Sequence, residues 1–153
     1  MQTSFILKEN ESRPSGVYNI LGHPALLKVG SADTQGQLSI FLGEYKKGQS
    51  PPLHIHNFDE TFYILEGEFI IQAGDNKFRA QPCDTIFVPG NLPHTYLTVS
   101  ETGKMLFMSS PSGTAEIFFQ KISLFKGKPT DEELAELQNS TGIRFVGPPI
   151  TLE

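Results

Sequence analysis

Residues 48–67, GQSPPLHIHNFDETFYILEG, constrain the fold more than any other stretch, because they set His54, His56 and Glu60 within runs of strand-forming residues. Side chains two apart on a strand share a face. His54 and His56 therefore point the same way, with Cβ atoms about 7 Å apart, close enough for two imidazoles to converge on one ion. After a polar break at Asn57, residues 60–65 are aromatic and branched and read as the next strand, with Glu60 on the side of Phe62 and Ile64. A carboxylate on so apolar a face requires a partner.

A fourth candidate ligand comes from residues 84–99, DTIFVPGNLPHTYLTV, which read as strand, turn and strand. Pro89, Gly90, Asn91 and Pro93 crowd the turn, and His94 opens the following extended run. Three neutral imidazoles and one carboxylate are softer than an all-oxygen shell and harder than a thiolate cage. The expected cofactor is one divalent transition metal per chain, with Fe, Mn, Ni, Co, Cu and Zn all compatible. An octahedral ion held by His54, His56, Glu60 and His94 would keep two positions for water, substrate or O₂.

These two stretches resemble the paired motifs of the cupin superfamily. Gly48, His54, His56, Glu60 and Gly67 meet every specified position of the first motif. In the second, Pro89 and His94 are in place, whereas Cys83, Asn91 and Thr98 stand where the pattern has Gly, Gly and Asn. Asn tolerates the left-handed backbone that a turn glycine supplies. The resemblance extends over residues 38–150 to small single-domain cupins similar to quercetin 2,3-dioxygenase, through PPLHIHNFDETFYILEGEF, GTAEIFFQKI, DEELAEL and FVGPPI. It implies an all-β cupin jelly-roll β-barrel with a metal inside, and pairing into homodimers through sheet surfaces. In flavonol-cleaving cupins the metal takes the substrate's deprotonated 3-hydroxyl, the glutamate serves as base, and O₂ addition opens the heterocycle with loss of CO. By that resemblance Glu60 is the catalytic base. The expected function is therefore a metal-dependent dioxygenase acting on a flavonol-like or other small oxygenated aromatic compound. A non-catalytic small-molecule-binding cupin and a metal-dependent isomerase or lyase are the alternatives; the latter needs a further acid or base, for which Tyr63, Tyr96 and Asp59 are the candidates near in sequence, although Asp59 should point away from Glu60.

With 153 residues and 38% hydrophobic content, the chain reads as one cupin domain over 1–153, comprising an arm at 1–16, a core barrel at 37–110 and helices within 114–142. A net charge of −5 with no basic cluster larger than Lys46-Lys47 argues against nucleic acid or an anionic membrane as partner and leaves a small-molecule substrate; O₂ is the further partner that the dioxygenase resemblance implies. The start, MQTSFILKENESRPSG, lacks the basic and long apolar regions of a leader, and no run approaches a membrane span. A single cysteine fits a reducing, cytoplasmic setting. Cys83 reads as a small packed residue rather than a nucleophile.

Further strands are expected at 17–21, 25–29, 37–45, 68–73, 77–80 and 104–109, with His23, between Gly22 and Pro24, as a turn residue. In 38–45, Leu38, Ile40 and Leu42 alternate with Phe41 and Tyr45; in 60–65, Phe62 and Ile64 alternate with Tyr63 and Leu65. Both faces are apolar enough to be covered, so Leu38, Ile40, Tyr63 and Leu65 are candidates for a dimer surface. Two short C-terminal helices complete the reading. The first, with Thr114 as N-cap, uses Phe118, Phe119 and Ile122 to close a barrel end; the second opens on the capping box of Thr130 and Glu133 and stops near Gly142.

Overall fold

A computed structural model describes residues 3–152. In chain order its elements are β1 (Val17–Ile20), β2 (His23–Val29), α1 (Ser31–Thr34), β3 (Ser39–Lys46), β4 (Leu53–Ile55), β5 (Asp59–Glu66), β6 (Phe69–Ala73), β7 (Asn76–Ala80), β8 (Thr85–Val88), β9 (His94–Thr98), β10 (Thr102–Ser110), α2 (Thr114–Ser123), α3 (Asp131–Thr141) and β11 (Arg144–Gly147). The strands form two antiparallel sheets, ordered β1-β2-β3-β10-β5-β8 and β11-β4-β9-β6-β7. Together they make the all-β jelly-roll barrel expected from the sequence.

Alternation along β10 explains how the first sheet carries two different faces. Met105, Phe107 and Ser109 are buried, while Leu106 and Met108 between them are half-buried on the outer face. Phe107 lies opposite Phe41 on β3 and Phe62 on β5, and stacks on the Phe41 ring with centroids 4.9 Å apart. The sheets meet through aromatic contacts such as Tyr45 with Phe69, at 5.6 Å, and Phe62 with Tyr96, at 6.0 Å. Tyr45 folds back along its own strand into the space where a side chain at position 43 would begin, which is why that position is Gly43. Gly67 closes the first motif with φ +79 in the β5–β6 turn, and a Cβ there would strike the Thr102 carbonyl.

Helix α2 closes one end of the barrel as its apolar pattern predicts. Phe118 and Ile122 are buried, and Phe119 meets Phe41 edge-on at 5.0 Å. Its N-cap is Gly113 rather than Thr114, so no side chain caps this helix. Helix α3 has the expected Thr130–Glu133 capping box and ends on Gly142 in the left-handed region.

Several expectations need correction. His23 is not a turn residue: the chain reverses at Leu21 and Gly22, both at positive φ, and His23 begins β2 as a buried residue. Helix α1 and strand β11 have no counterpart in the sequence reading; β11 extends the second sheet by pairing with β4. Cys83 is exposed, not packed, and adopts φ 76, so this second-motif position keeps the backbone of a glycine without being one. Asn91 has φ 66, as expected of its turn. The described part of the N-terminal arm carries no strand, yet it is held down by the bidentate pair of Arg13 with Asp33 and by Lys28 Nζ, which donates to the Lys8, Glu9 and Glu11 carbonyls. Residues 1–2 of that arm, and residue 153, lie outside the described residues.

Candidate metal centre

Strand pairing brings the four predicted ligands together. His54 on β4 and His94 at the start of β9 are direct cross-strand partners, with ring centroids 4.3 Å apart. His56 follows β4 and stacks on Phe58 at 3.7 Å, while Glu60 enters from β5 on the inner face. One ligand atom from each of His54, His56, Glu60 and His94 lies within 4.8 Å of the others. The 89–93 turn is tied to this region by Asn91 N donating to the His56 carbonyl and by Gly90 N donating to Asp59 Oδ1.

Hydrogen bonding orients all three rings alike. His54 Nδ1 is 2.8 Å from the Pro52 carbonyl, His56 Nδ1 is 3.0 Å from that of Phe58, and His94 Nδ1 is 2.9 Å from that of Leu92. A carbonyl only accepts, so each Nδ1 carries the proton and each Nε2 of a neutral ring offers a lone pair. Yet Glu60 Oε2 lies 2.8 Å from His56 Nε2 and 3.0 Å from His94 Nε2. Carboxylate oxygen and unprotonated imidazole nitrogen are both acceptors, so such approaches are favourable only with a cation between them, either a proton or a metal ion. The donor set fits a divalent transition ion, and the backbone carbonyls supply the outer hydrogen bonds that metal-ligating histidines need.

The groups of the cluster are electrostatically coupled. Burial alone would raise the Glu60 carboxyl, but the hydrogen bonds from His56 and His94 override it and hold the group well below the usual carboxylate range. Burial pulls His94 down, and the Glu60 carboxylate reverses this to a net rise. His54, without that contact, is pushed down to about 4 by burial and then by His94.

The cluster opens onto a cavity walled largely by aromatic residues, among them Tyr45, Phe62, Tyr96, Phe107 and Phe119. Of the sequence candidates for an additional acid or base, Tyr96 alone lines it. Tyr63 is on the outer face of β5 beside Cys83, and Asp59 is taken up by the Gly90 amide. Burial raises the Tyr96 hydroxyl far above its ordinary pKa, leaving it a neutral hydrogen-bonding group.

Two cavity residues escaped the sequence reading. Ser109 on β10 is the direct partner of Glu60 on β5, so the hydroxyl and carboxylate are neighbours on one face. His23 lies at the other side of Tyr45, with ring centroids 4.6 Å apart. Alternation within 104–109 put Ser109 on the face of Phe107, but nothing local disclosed that Glu60 stands opposite.

A family model described as Cupin domain matches residues 41–110. Quercetin 2,3-dioxygenase from Bacillus subtilis (strain 168) is 33% identical over 91 residues, which is 59% of this chain and 27% of that protein. The chain thus covers about a quarter of that relative's length. An RmlC-like cupin from Shewanella frigidimarina NCIMB 400 superposes with a TM-score of 0.59 at 18% identity, over 72% of this chain and 94% of the other. The polyketide cyclase RemF from Streptomyces resistomycificus does so at 0.53 and 21%, over 63% and 68%. At these identities the structural likeness concerns the fold.

Proposed function

We propose that the chain is a cupin-superfamily protein and a metal-dependent dioxygenase acting on a small flavonol-like aromatic substrate, with His54, His56, Glu60 and His94 as metal ligands and Glu60 as base. The observation that carries this reading is the set of three Nδ1-anchored imidazoles and one carboxylate, converging within 4.8 Å at the wall of an aromatic cavity. When bound, a divalent ion would supply Lewis acidity toward a hydroxy-carbonyl group and a place for O₂ to react. The chain's residues do the rest. The aromatic walls exclude water and hold flat rings by stacking. Glu60, held as a carboxylate, takes the proton of the substrate hydroxyl, so that the substrate enters the reaction as its anion.

The test is aerobic consumption of quercetin by protein reconstituted in turn with Fe²⁺, Mn²⁺, Co²⁺, Ni²⁺ and Cu²⁺. We expect loss of the flavonol absorption band with uptake of one O₂ per molecule for at least one metal. Binding with every metal but consumption of neither reactant contradicts the dioxygenase reading and leaves a binding protein. A second reading, isomerase or lyase, is favoured by the Tyr96 hydroxyl, which could pass a proton within the same cavity. It predicts product formation without O₂.

We propose further that two copies pair through the outer face of the six-stranded sheet. Across it Ile40, Met108, Thr61 and Phe87 lie in one register row, and Leu42, Leu106 and Tyr63 in the next. Leu42 in the second row is itself buried, but Phe87 is 58% exposed and its apolar neighbours are half-buried, and an apolar patch of this kind calls for a partner. No helix among the described residues is long and apolar enough to cross a membrane. The exposed lone Cys83 suits a reducing cytoplasm.

A further inference from the structure

Two polar atoms in the cavity wall have no partner in the fold. Ser109, 3% exposed, has an Oγ that makes no hydrogen bond, although its neighbour Ser39 on β3 donates to the Glu116 carboxylate. His23, 8% exposed, has an Nδ1 that likewise makes none. Both residues line the cavity onto which His54, His56 and Glu60 open. Buried polar atoms of this kind are rare in folded proteins and are destabilising until something supplies their partner.

Their positions are unlike. Ser109 stands directly across from Glu60. A run of ring contacts leads from His94 through Phe62, Tyr96 and Tyr45 to His23, with successive ring centroids 6.5, 6.0, 5.3 and 4.6 Å apart. Strand β10 measures the same interval: Gly103, the partner of Tyr45, is six residues before Ser109, the partner of Glu60, a rise of about 20 Å along the backbone. Tyr45 leans back over Gly43 and shortens that span between the side chains. The wall between the two polar atoms is aromatic.

We infer that the cavity recognises its ligand at two points: an oxygen at the His54/His56/Glu60/His94 cluster, where Ser109 donates a hydrogen bond, and a second hydroxyl or carbonyl at the far end of an aromatic body, bound by His23 Nδ1. His23 is then a specificity-determining residue, selecting long polyhydroxylated aromatics over those that carry polar groups at one end only. Burial keeps the imidazole neutral by lowering it to about 4, so it can donate or accept according to tautomer. The inference rests on the proposed reading of the cluster as a metal centre that takes an aromatic hydroxy-carbonyl compound.

The experiment measures binding, not turnover, with Zn²⁺-loaded protein under anaerobic conditions. Its two probes are quercetin, hydroxylated at both ends, and 3-hydroxyflavone, which keeps only the chelating pair. His23→Leu should weaken quercetin about tenfold to a hundredfold, the range for leaving a buried polar group without its partner, and leave 3-hydroxyflavone nearly unchanged. His23→Gln should recover most of the quercetin affinity. In the wild type, the ¹⁵N resonance of His23 Nδ1 should move with quercetin and not with 3-hydroxyflavone, a readout independent of whether any variant folds. If both flavonols respond equally to His23→Leu, or the resonance is indifferent to quercetin, the two-point inference is wrong while the metal-centre reading stands. If 3-hydroxyflavone fails to bind the Zn²⁺-loaded wild type, that reading fails and the inference falls with it.

Discussion

Replacing Glu60 by Gln should separate binding from turnover. Among the residues lining the cavity Glu60 is the only carboxylate, so the substitution removes the acceptor for a substrate hydroxyl proton and leaves no equivalent. Ser109 and Tyr96 are neutral hydroxyls, and His23 is set off from the cluster behind Tyr45, Tyr96 and Phe62, out of reach of a hydroxyl held there. The fold should tolerate the change. An amide N–H can donate to His56 Nε2 or His94 Nε2, which the carboxylate now meets at 2.8 and 3.0 Å, without any intervening cation. Three imidazoles should still bind the metal, more weakly for loss of the anionic ligand. Loss of general-base help typically costs 10² to 10⁴ in rate, about 3 to 5 kcal/mol of barrier, and the absence of a substitute base points to the upper half of that range. The assay is aerobic single-turnover loss of the flavonol band, at matched metal occupancy, alongside anaerobic flavonol binding. A variant that turns over within a few-fold of wild type would refute the role given to Glu60.

Three further outcomes follow from particular residues. The His23 pKa is depressed from 6.5 to about 4 in the fold, so its contribution is complete above 6.5 and is lost as pH falls through that window. At 1.36 kcal/mol per unit this amounts to about 3 kcal/mol, and denaturant unfolding of His23→Gln should show a shallower loss of stability between those pH values than wild type. Cys83 holds φ 76 with a side chain, so Cys83→Gly should raise stability by up to about 1 kcal/mol; a clear loss in thermal unfolding would contradict the strain argument. Phe87→Lys sets a charge on the most exposed residue of the outer apolar rows and should turn a dimer into a monomer by light scattering, whereas a wild type found only at 16.9 kDa would contradict the dimer itself.

The ligand set was legible because it depends on parity and on short-range spacing. His54 and His56 two apart, Glu60 at the start of an aromatic run and His94 after a proline-rich turn each needed only a strand assignment. The inner faces of β3 and β5 followed from the same alternation. What could not be read depends on pairing between distant segments. Ser109 meets Glu60, and β11 meets β4, through registers that no local signal encodes. His23 was misread because Gly22 and Pro24 on either side suggest a turn, whereas the reversal falls one residue earlier and leaves Pro24 within a strand that pairs with β1. Cys83 was misread for a related reason: the fold imposes a left-handed backbone there that the residue type does not advertise.

The most direct test of the central claim is elemental analysis of protein purified without added metal, comparing wild type with His56→Ala. The account predicts one divalent transition ion per chain in the wild type and only a small remnant in the variant, with the β-rich circular dichroism spectrum preserved in both. Equal metal content in the two proteins would contradict it, because the ion would then be held somewhere other than the four convergent side chains.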